Sequence, residues 1–503
     1  MSFHGADRSV TGSCHMLECA GRRLLIDCGL VQGSRDLEEE NAADFGFDPS
    51  AVDTLLLTHA HLDHCGRVPL LVKRGFRGKI VTTAASRDLA RLVILDAAHL
   101  QEEEAKRRQR RARRGGRESD ERPLYTLLDA LDSLDRFGAL AEYGEPIELA
   151  PGLRASFFNA GHILGSASIL IEAEEAGKRR RVLFSGDLGN VGRPLLPPPS
   201  PPRAAEIVVM ESTYGDRRHR PFSESVEELY EAVLATFDRG GNVIIPTFAL
   251  ERAQEILYVL RQGIEQRRLP ASMAVFLDSP LAIAATEIFE RHPNCYSTAV
   301  AELFAHGQDP FGFSGLHFTR EAADSIAINR IGGGAVIIAG SGMCTGGRIR
   351  HHLVRAGEDG GDVEFDVGGG AACPERGNLP AGLADVRSDH DQAVPAACRA
   401  GPDLLAAKRR PGRQAGQGPH KRGPGAEQER LAGPLGQQHL AGHRLQVGVF
   451  GGVDDDPPPA VHAGQQVTHP GRPAEPDVSQ ADAGNVAASD RPAAFLADEV
   501  FQV

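Results

Sequence analysis

The stretch that decides the fold is His59–His64, HAHLDH, which directly follows the apolar run TLLLT. Such a run is typical of a short buried strand, and a tight loop after a strand can aim His59 and His61 at one ion. Zn²⁺ binds neutral imidazoles and carboxylates at about 2.0–2.2 Å. Two residues further on, Asp63 and His64 can face a second ion. Three histidines and one aspartate in six residues therefore predict a metal site.

Candidate partners for this loop follow three other predicted strands. Asp27 lies in LLIDCG, His162 in NAGHILGSA and Asp187 in FSGDLG. Each follows the carboxyl end of a strand, where open α/β sites usually assemble. A carboxylate at Asp187 could bridge two metals, and Asp27 could hold a metal-binding histidine through a hydrogen bond. Taken singly, each of the three could instead be an ordinary turn or cap residue.

The motifs DCG, HAHLDH, GH and SGD, in this order, resemble those of the metallo-β-lactamase superfamily. The resemblance covers most of residues 1–190 and implies an α/β fold, an αββα sandwich, with two Zn²⁺ per chain as cofactors. Sites built from histidine and aspartate also accept manganese or iron. The implied ligands are His59, His61 and His162 for one zinc ion, Asp63 and His64 for the other, and Asp187 as a bridge.

Four further motifs bear on the substrate, which the metal site alone does not identify. They are ESTYGDR at Glu211–Arg217, PTFALERAQE at Pro246–Glu255, DSPLA at Asp278–Ala282 and GSGMCTGGRIRHHL at Gly340–Leu353. Together they resemble the β-CASP insertion of RNA-processing nucleases, the branch that includes the endonuclease of eukaryotic pre-mRNA 3′-end formation. The resemblance implies an endoribonuclease with RNA as its partner, and products with a 5′-phosphate and a 3′-hydroxyl.

Two acidic residues are candidate catalytic groups. Glu211 follows a predicted strand and could act near the metals as an acid–base or hydrogen-bonding partner, or be an ordinary strand-end acid. Asp63 is the second candidate, in addition to its expected place as a ligand. In the implied two-metal mechanism, zinc lowers the pKa of bound water to near 7, and the resulting hydroxide attacks phosphorus in line.

The glycine-rich turn near residue 340 is a candidate phosphate site. Glycines let backbone amides approach a phosphate, and the helix that follows Gly347 presents an N-terminus that favours anions. The alternative is a plain tight turn. The candidate RNA contacts are Arg252, Ser341, Gly342, Gly347 and Arg348, and exposed salt bridges are the alternative for the two arginines.

The length of 503 residues predicts two domains plus additional chain. We place a metallo-β-lactamase domain at 1–205, a β-CASP domain at 206–354 and a low-complexity tail at 355–503. From residue 356 onward the chain has no Ile, Met, Tyr or Trp, so it can bury little apolar area. We expect this tail to be atypical or disordered, with no lasting strand or helix period except near its end.

The tail also breaks the family pattern. The family returns to its first domain with a Ser-Ala-His-Ala-Asp-like segment and a later histidine, and neither is found; His390, in RSDHDQ, has no matching context. The break coincides with the shift in composition, which favours an out-of-frame origin for 355–503. The second zinc site would then lack a ligand and catalysis a general acid, so the activity of this chain is in question.

Charge and cysteines bear on partners and compartment. The net charge is −13, which counts mildly against RNA, yet Lys106–Arg114 is a dense basic run, KRRQRRARR. The run is either a solvated helix end or a phosphate-contacting surface.

Eight irregularly spaced cysteines favour a cytoplasmic protein. We expect no membrane span and no signal peptide, and we leave a homodimer open.

Three other functions stay open at this point. A DNA-directed β-CASP nuclease would share the metal motifs. It stays open because the motif that separates the RNA branch from the DNA branch is absent here. A small-molecule hydrolase of the superfamily would not need the second block. A catalytically impaired RNA-binding relative would keep the groove without the chemistry.

Overall fold

The computed structural model describes residues 1–7, 9–33, 40–116, 121–216, 218, 221–342, 344, 346–358, 363–367, 405–409, 446–449 and 499–502. Within these ranges the chain forms three β-sheets flanked by helices.

The first sheet is built from the N-terminal part of the chain, with its strands in sequence order. The first three strands are antiparallel and the remaining pairs are parallel. Leu24, Leu25 and Ile26 are all buried, because both faces of a parallel region are covered. The strands are β1 (Ser2–Phe3), β2 (His15–Cys19), β3 (Arg22–Ile26), β4 (Thr54–Leu56), β5 (Lys79–Thr83) and β6 (Phe137–Ala141).

The second sheet is mainly antiparallel, with one parallel pair between the strands Lys178–Phe184 and Ile207–Met210. The order of its strands is β19 (Glu499–Gln502), β18 (Gln446–Val449), β11 (Ile207–Met210), β10 (Lys178–Phe184), β9 (Ala167–Glu175), β8 (Leu153–Asn159) and β7 (Pro146–Ala150). This sheet packs against the first, and Ile26 and Val81 are buried in one cluster with Phe157, Ile169 and Phe184.

Helices cover the other face of the first sheet. Leu25 and Leu55 of the sheet are buried in a cluster with Leu71 and Leu89 of the helices, which removes their apolar area from water. The helices are α1 (Leu62–Cys65), α2 (Val68–Lys73), α3 (Ala84–Arg114) and α4 (Leu127–Leu134). Two facing sheets with helices outside confirm the predicted α/β class.

The third sheet is parallel over its first four strands, and its edge pair is antiparallel. Its order is β14 (Leu316–Phe318), β13 (Ala274–Asp278), β15 (Ala335–Ala339), β12 (Val243–Pro246), β17 (Leu405–Arg409) and β16 (Val363–Val367). The helices of this region are α5 (Phe222–Asp238), α6 (Arg252–Glu265), α7 (Pro280–Glu290), α8 (Thr298–Ala305), α9 (Ala322–Ile328) and α10 (Ile349–Glu358). Short 3₁₀ turns lie at Pro49–Ala51 and Pro293–Cys295.

The predicted boundary after residue 205 assigns Ile207–Met210 to the second domain, whereas β11 pairs with β10 inside the second sheet. Periodicity along the chain does not register which strands pair across a sheet. The division into 1–205, 206–354 and 355–503 stays a prediction.

The described residues of the C-terminal segment add a pair of short strands to one edge of the second sheet, β18 and β19, and another pair to one edge of the third, β17 and β16, although the sequence predicts no lasting strand period there except near the end. Main-chain hydrogen bonds can add an edge strand without an apolar pattern. His390 lies outside the described residues, and the out-of-frame origin stays a prediction. Within the described ranges, no helix has both the length and the apolar character that crossing a bilayer requires.

Candidate metal centre

The histidine loop follows β4 at the edge where the two facing sheets meet. His61 is the N-cap residue of α1, and its imidazole lies between two others. The Nδ1 atom of His61 is 3.1 Å from Nε2 of His59 and 3.1 Å from Nε2 of His162. Three imidazole nitrogens from two distant segments therefore converge, as the sequence predicted.

The turn that carries His162 is held by a hydrogen bond within the turn and by hydrogen bonds from the start of α3. The Ser166 hydroxyl oxygen accepts from the backbone N–H of His162 at 3.0 Å. The carbonyl of Gly165 accepts from the hydroxyls of Thr83 and Ser86, at 2.7 and 2.8 Å. Because Thr83 and Ser86 start α3, that helix fixes the turn that aims His162.

Asp187 follows β10 and faces the same point. Its Oδ2 atom is 3.7 Å from Nε2 of His59 and 3.5 Å from Nε2 of His162, and its Oδ1 atom is 3.1 Å from Nε2 of His64. Burial opposes ionisation of this carboxyl, but the neighbouring imidazoles, first that of His64, hold its pKa well below its usual range. Asp187 therefore lies between the first three histidines and His64.

Four of the predicted ligands, His59, His61, His162 and Asp187, offer ligand atoms that all lie within 4.8 Å of one another. Three imidazoles and a carboxylate are a donor set that zinc favours. Burial, together with the neighbouring imidazoles, lowers the pKa of His59 and brings that of His61 to about 4. Both rings are therefore neutral at pH 7, the form that binds a metal. This group fits a divalent ion.

The predicted second set is arranged differently. Nε2 of His64 is 3.1 Å from Asp187 but 3.8 Å from Oδ2 of Asp63. Burial opposes the charged form of His64, yet Asp187, Asp63 and Asp27 together raise its pKa well above the usual value. Asp63 and His64 lie beside the four-residue group rather than within it.

Asp27 is buried directly behind the histidine loop. Its Oδ2 atom is 2.8 Å from Nδ1 of His64, and its Oδ1 atom accepts from the backbone N–H of Thr58 at 2.8 Å. Asp27 has a positive φ of 59°, which few residues besides glycine, asparagine and aspartate adopt readily. The carboxylate thus ties β3 to the loop and leaves Nε2 of His64 pointing at the site.

Glu211 follows β11 and supports the loop that carries Asp187. Its Oε1 atom accepts from the backbone N–H of Leu188 at 2.6 Å, and its own N–H donates to the Ser185 hydroxyl at 3.1 Å. Burial, with the nearby charge of Asp187, raises the pKa of Glu211 to about 7. A carboxyl that titrates near neutrality can either give or take a proton.

The region of the third sheet reaches the His162 turn through the start of α6. Oε2 of Glu251 accepts from the backbone N–H of Leu164 at 3.0 Å, and Glu251 itself has a φ of 61°. Burial, with the charge of Glu255, raises the pKa of Glu251 to about 8. The next residue, Arg252, pairs with Glu255, which also binds Arg193. Sequence reasoning missed Glu251; its only signal was its place in the ALERAQE motif.

The glycine-rich turn brings Ser341, Gly342 and Gly347 together before α10. The Ser341 hydroxyl oxygen accepts from the N–H of Gly346 at 3.3 Å, and Gly340 O accepts from the N–H of Ile349 at 3.0 Å. Gly347 has a φ of 70°, and a Cβ there would lie 2.2 Å from Gly340 O. The turn requires glycine at this position.

Arg348 faces inward rather than toward the open end of the turn. It donates to Oδ1 of Asp278 at 2.6 Å and to the carbonyls of Thr319 and Arg320. Asp278 is fully buried and its Oδ2 atom also binds His352, at 2.7 Å. The sequence flagged the DSPLA motif but not this anchoring role of its first residue.

The chain matches two family profiles and is similar to several known proteins. The profile of the Metallo-beta-lactamase superfamily matches residues 9–136, and that of the Beta-Casp domain matches residues 253–362. Ribonuclease TTHA0252 of Thermus thermophilus is 43% identical over 349 residues, which are 69% of this chain and 74% of that protein.

Two other relatives are longer. Transcription termination factor FttA of Methanosarcina mazei is 32% identical over 368 residues, 71% of this chain and 53% of that protein. Endoribonuclease YSH1 of Saccharomyces cerevisiae is 30% identical over 357 residues, 70% of this chain and 44% of that protein. The chain therefore belongs to the metallo-β-lactamase superfamily and, within it, to the β-CASP ribonuclease family.

Proposed function

We propose that this protein is a metal-dependent ribonuclease that hydrolyses RNA phosphodiester bonds within the strand. The observation that carries the proposal is the convergence of three imidazoles and Asp187 within 4.8 Å. The names of the relatives as ribonuclease and endoribonuclease support RNA as the substrate class.

In this proposal His59, His61, His162 and Asp187 would hold a divalent ion such as zinc, and Asp63 and His64, beside Asp187, would help to hold a second. A bound divalent ion would activate water and offset charge on the phosphoryl oxygens. Asp27 fixes the orientation of His64, and Glu211, whose pKa is about 7, holds or moves a proton beside Asp187. Metal identity, the count of two ions, a cytoplasmic location and a homodimer are predictions.

RNA contact by the β-CASP region is part of the same proposal. Ser341, Gly342 and Gly347 would offer backbone groups to a phosphate. Arg252 and Arg348 are each bound to a carboxylate, Glu255 and Asp278 respectively, so a phosphate would have to share their donors. The glycine-rich turn is therefore a stronger candidate phosphate site than Arg252 and Arg348.

The test combines metal analysis with cleavage of end-labelled RNA and of DNA of the same sequence. We expect zinc in the purified protein, internal cuts in RNA, and loss of both bound zinc and cleavage in His59→Ala. The matched control is His99→Ala, an exposed histidine on α3, which should behave like the wild type.

Three results would contradict the proposal. Equal cleavage by His59→Ala would remove the metal centre from the mechanism. Cleavage of DNA alone would favour a DNA-directed nuclease. RNA binding that survives His59→Ala, with no cleavage under any metal, would favour an impaired RNA-binding relative.

A further inference from the structure

The C-terminal end of α3, residues Lys106–Arg114, extends past the core of the protein; we call it the basic helix end. The last buried residue of α3 is Ala105. Beyond it, apolar packing no longer holds the helix, so its side chains are available to solvent or to a partner.

The basic helix end has two halves with different electrostatics. In the first half the charges are neutralised within the helix: Lys106 pairs with Glu103 at 3.0 Å, and Arg108 with Glu104 at 2.9 Å. In the second half four arginines are exposed, and the described part of the chain gives none of them an ion pair. These four are Arg110, Arg111, Arg113 and Arg114.

Their spacing places like charges side by side. Arg110 lies three and four residues before Arg113 and Arg114, and such residues are neighbours on a helix surface and repel when equally charged. The helix C-terminus offsets only about half an elementary charge. The chain as a whole carries a net charge of −13. A cluster of cations that has no ion pair among the described residues is therefore complementary to an external polyanion, even on an acidic protein.

We propose that the basic helix end is a second RNA-binding surface, which grips the phosphate backbone at a distance from the metal centre. This inference rests on the proposed function. Guanidinium groups match phosphate in a two-pronged geometry, and such contacts are independent of base sequence. The partner is thus RNA recognised through its phosphate backbone.

The helix itself sets the distance between the two surfaces. Ser86, in the first turn of α3, binds the His162 turn through Gly165 O. At about 1.5 Å per residue, Arg113 lies roughly 40 Å further along the helix axis. A stacked strand advances about 3.4 Å per nucleotide, so roughly twelve nucleotides span this distance. A pentanucleotide is too short to reach both surfaces.

The test is binding of a phosphorothioate-linked oligoadenylate of 30 nucleotides to the metal-loaded full chain, followed by fluorescence anisotropy over a salt series. The variant replaces Arg110, Arg111, Arg113 and Arg114 with glutamine, which keeps a high helix propensity. The control removes the same charge elsewhere, at four exposed arginines without ion pairs in the described structure: Arg180, Arg203, Arg291 and Arg330, each changed to Gln.

We expect the variant to raise Kd for the 30-nucleotide RNA at least tenfold at about 0.1 M salt. The slope of log Kd against log salt should fall by about 0.7 for each lost phosphate contact. The control should change neither quantity by a comparable amount. Cleavage of a pentanucleotide should keep its kcat and KM in the variant, and circular dichroism should show the same helix content.

An unchanged Kd and salt slope in the variant would overturn the inference, and so would an equal loss in the control. Binding of poly-glutamate that the variant alone loses, with RNA affinity intact, would make the surface a protein site and also overturn it. Loss of RNA affinity in the variant, from a wild type that cuts no RNA, would support this surface and count only against the proposed function.

Discussion

At the scale of single residues, Asp27 decides which nitrogen of His64 faces the site. Its carboxylate lies 2.8 Å from Nδ1 of His64 and also accepts from the backbone of Thr58. Such a partner fixes the ring orientation and the tautomer of a metal-binding histidine. From the sequence, Asp27 could have been either such a partner or an ordinary turn residue, because it follows a predicted strand.

We therefore predict that Asp27→Ala weakens zinc binding about 10- to 100-fold, the usual cost of losing such a partner. Competition with a fluorescent chelator measures the affinity. Asp44→Ala is the control, because the Asp44 side chain is fully exposed. Equal affinity in the wild type and in Asp27→Ala would refute the orienting role.

Glu211 offers a test of proton transfer. Gln at this position keeps an oxygen that can accept from Leu188 N–H but cannot ionise. We predict that Glu211→Gln lowers kcat by about 10²- to 10⁴-fold while bound zinc is unchanged. Glu206→Gln is the matched control, since Glu206 precedes the same strand and likewise accepts a backbone N–H, from Arg181. A wild-type kcat in Glu211→Gln would show that Glu211 only supports the loop.

At the scale of elements, β13 and α10 are joined through one carboxylate. Asp278 ends β13 and binds His352 and Arg348, near the start of α10, and also the Ser325 hydroxyl at 2.6 Å. These contacts hold α10 against the third sheet and so position the glycine-rich turn before it. Burial opposes ionisation, but the bonds from His352, Ser325 and Arg348 keep the pKa of Asp278 below its usual range.

We predict that Asp278→Asn lowers the free energy of unfolding by about 3–5 kcal/mol at pH 7, because it leaves the partly buried guanidinium of Arg348 without its carboxylate. Because the pKa of Asp278 is lower in the folded protein than the unfolded value of about 3.9, its carboxylate stabilises the fold at pH values above about 3.9. That stabilisation is lost as the pH falls through the folded-state pKa. The difference between wild type and variant should therefore shrink below about pH 4.

Urea unfolding at pH 7, 5 and 3.5 measures this difference. The exposed residue Asp324, in α9, provides the control variant Asp324→Asn, which should match the wild type at each pH. A gap between wild type and Asp278→Asn that stays constant down to pH 3.5 would exclude the carboxylate as its source.

Alanine substitutions at the two adjacent glycines in the turn before α10 should have different effects on stability. Gly347 has a φ of 70° and no room for a Cβ beside Gly340 O, whereas a Cβ at Gly346 would meet nothing within 4 Å. We predict that Gly347→Ala costs at least about 1–3 kcal/mol, and that Gly346→Ala is nearly neutral. Thermal melts of both variants give the comparison, and equal Tm values would contradict it.

At the scale of the whole molecule, the site was predictable to the extent that its chemistry lies in short motifs at strand ends. His59, His162 and Asp187 belong to such motifs, and the structure brings them together. The bond from Leu164 to Glu251 joins residues 87 positions apart and depends on how α6 docks, which no local pattern encodes. The inward orientation of Arg348 was missed for the same reason.

The C-terminal segment leads to a prediction about the gene rather than the fold. If residues 355–503 arise from a shifted frame, another frame of the same DNA should encode a Ser-Ala-His-Ala-Asp-like segment and a later histidine. Translating the coding DNA in its two other frames tests this directly. Absence of that segment in both frames would reject the shifted-frame origin.

The four converging ligands come from both layers of the sandwich. His59 and His61 follow a strand of the first sheet, whereas His162 and Asp187 follow strands of the second. A slip of one sheet by a single residue, about 3.3 Å, would pull these atoms out of a common sphere. Binding of an ion would therefore require that the two sheets are correctly aligned. A newly synthesised chain that binds metal has already formed the correct packing of one sheet on the other.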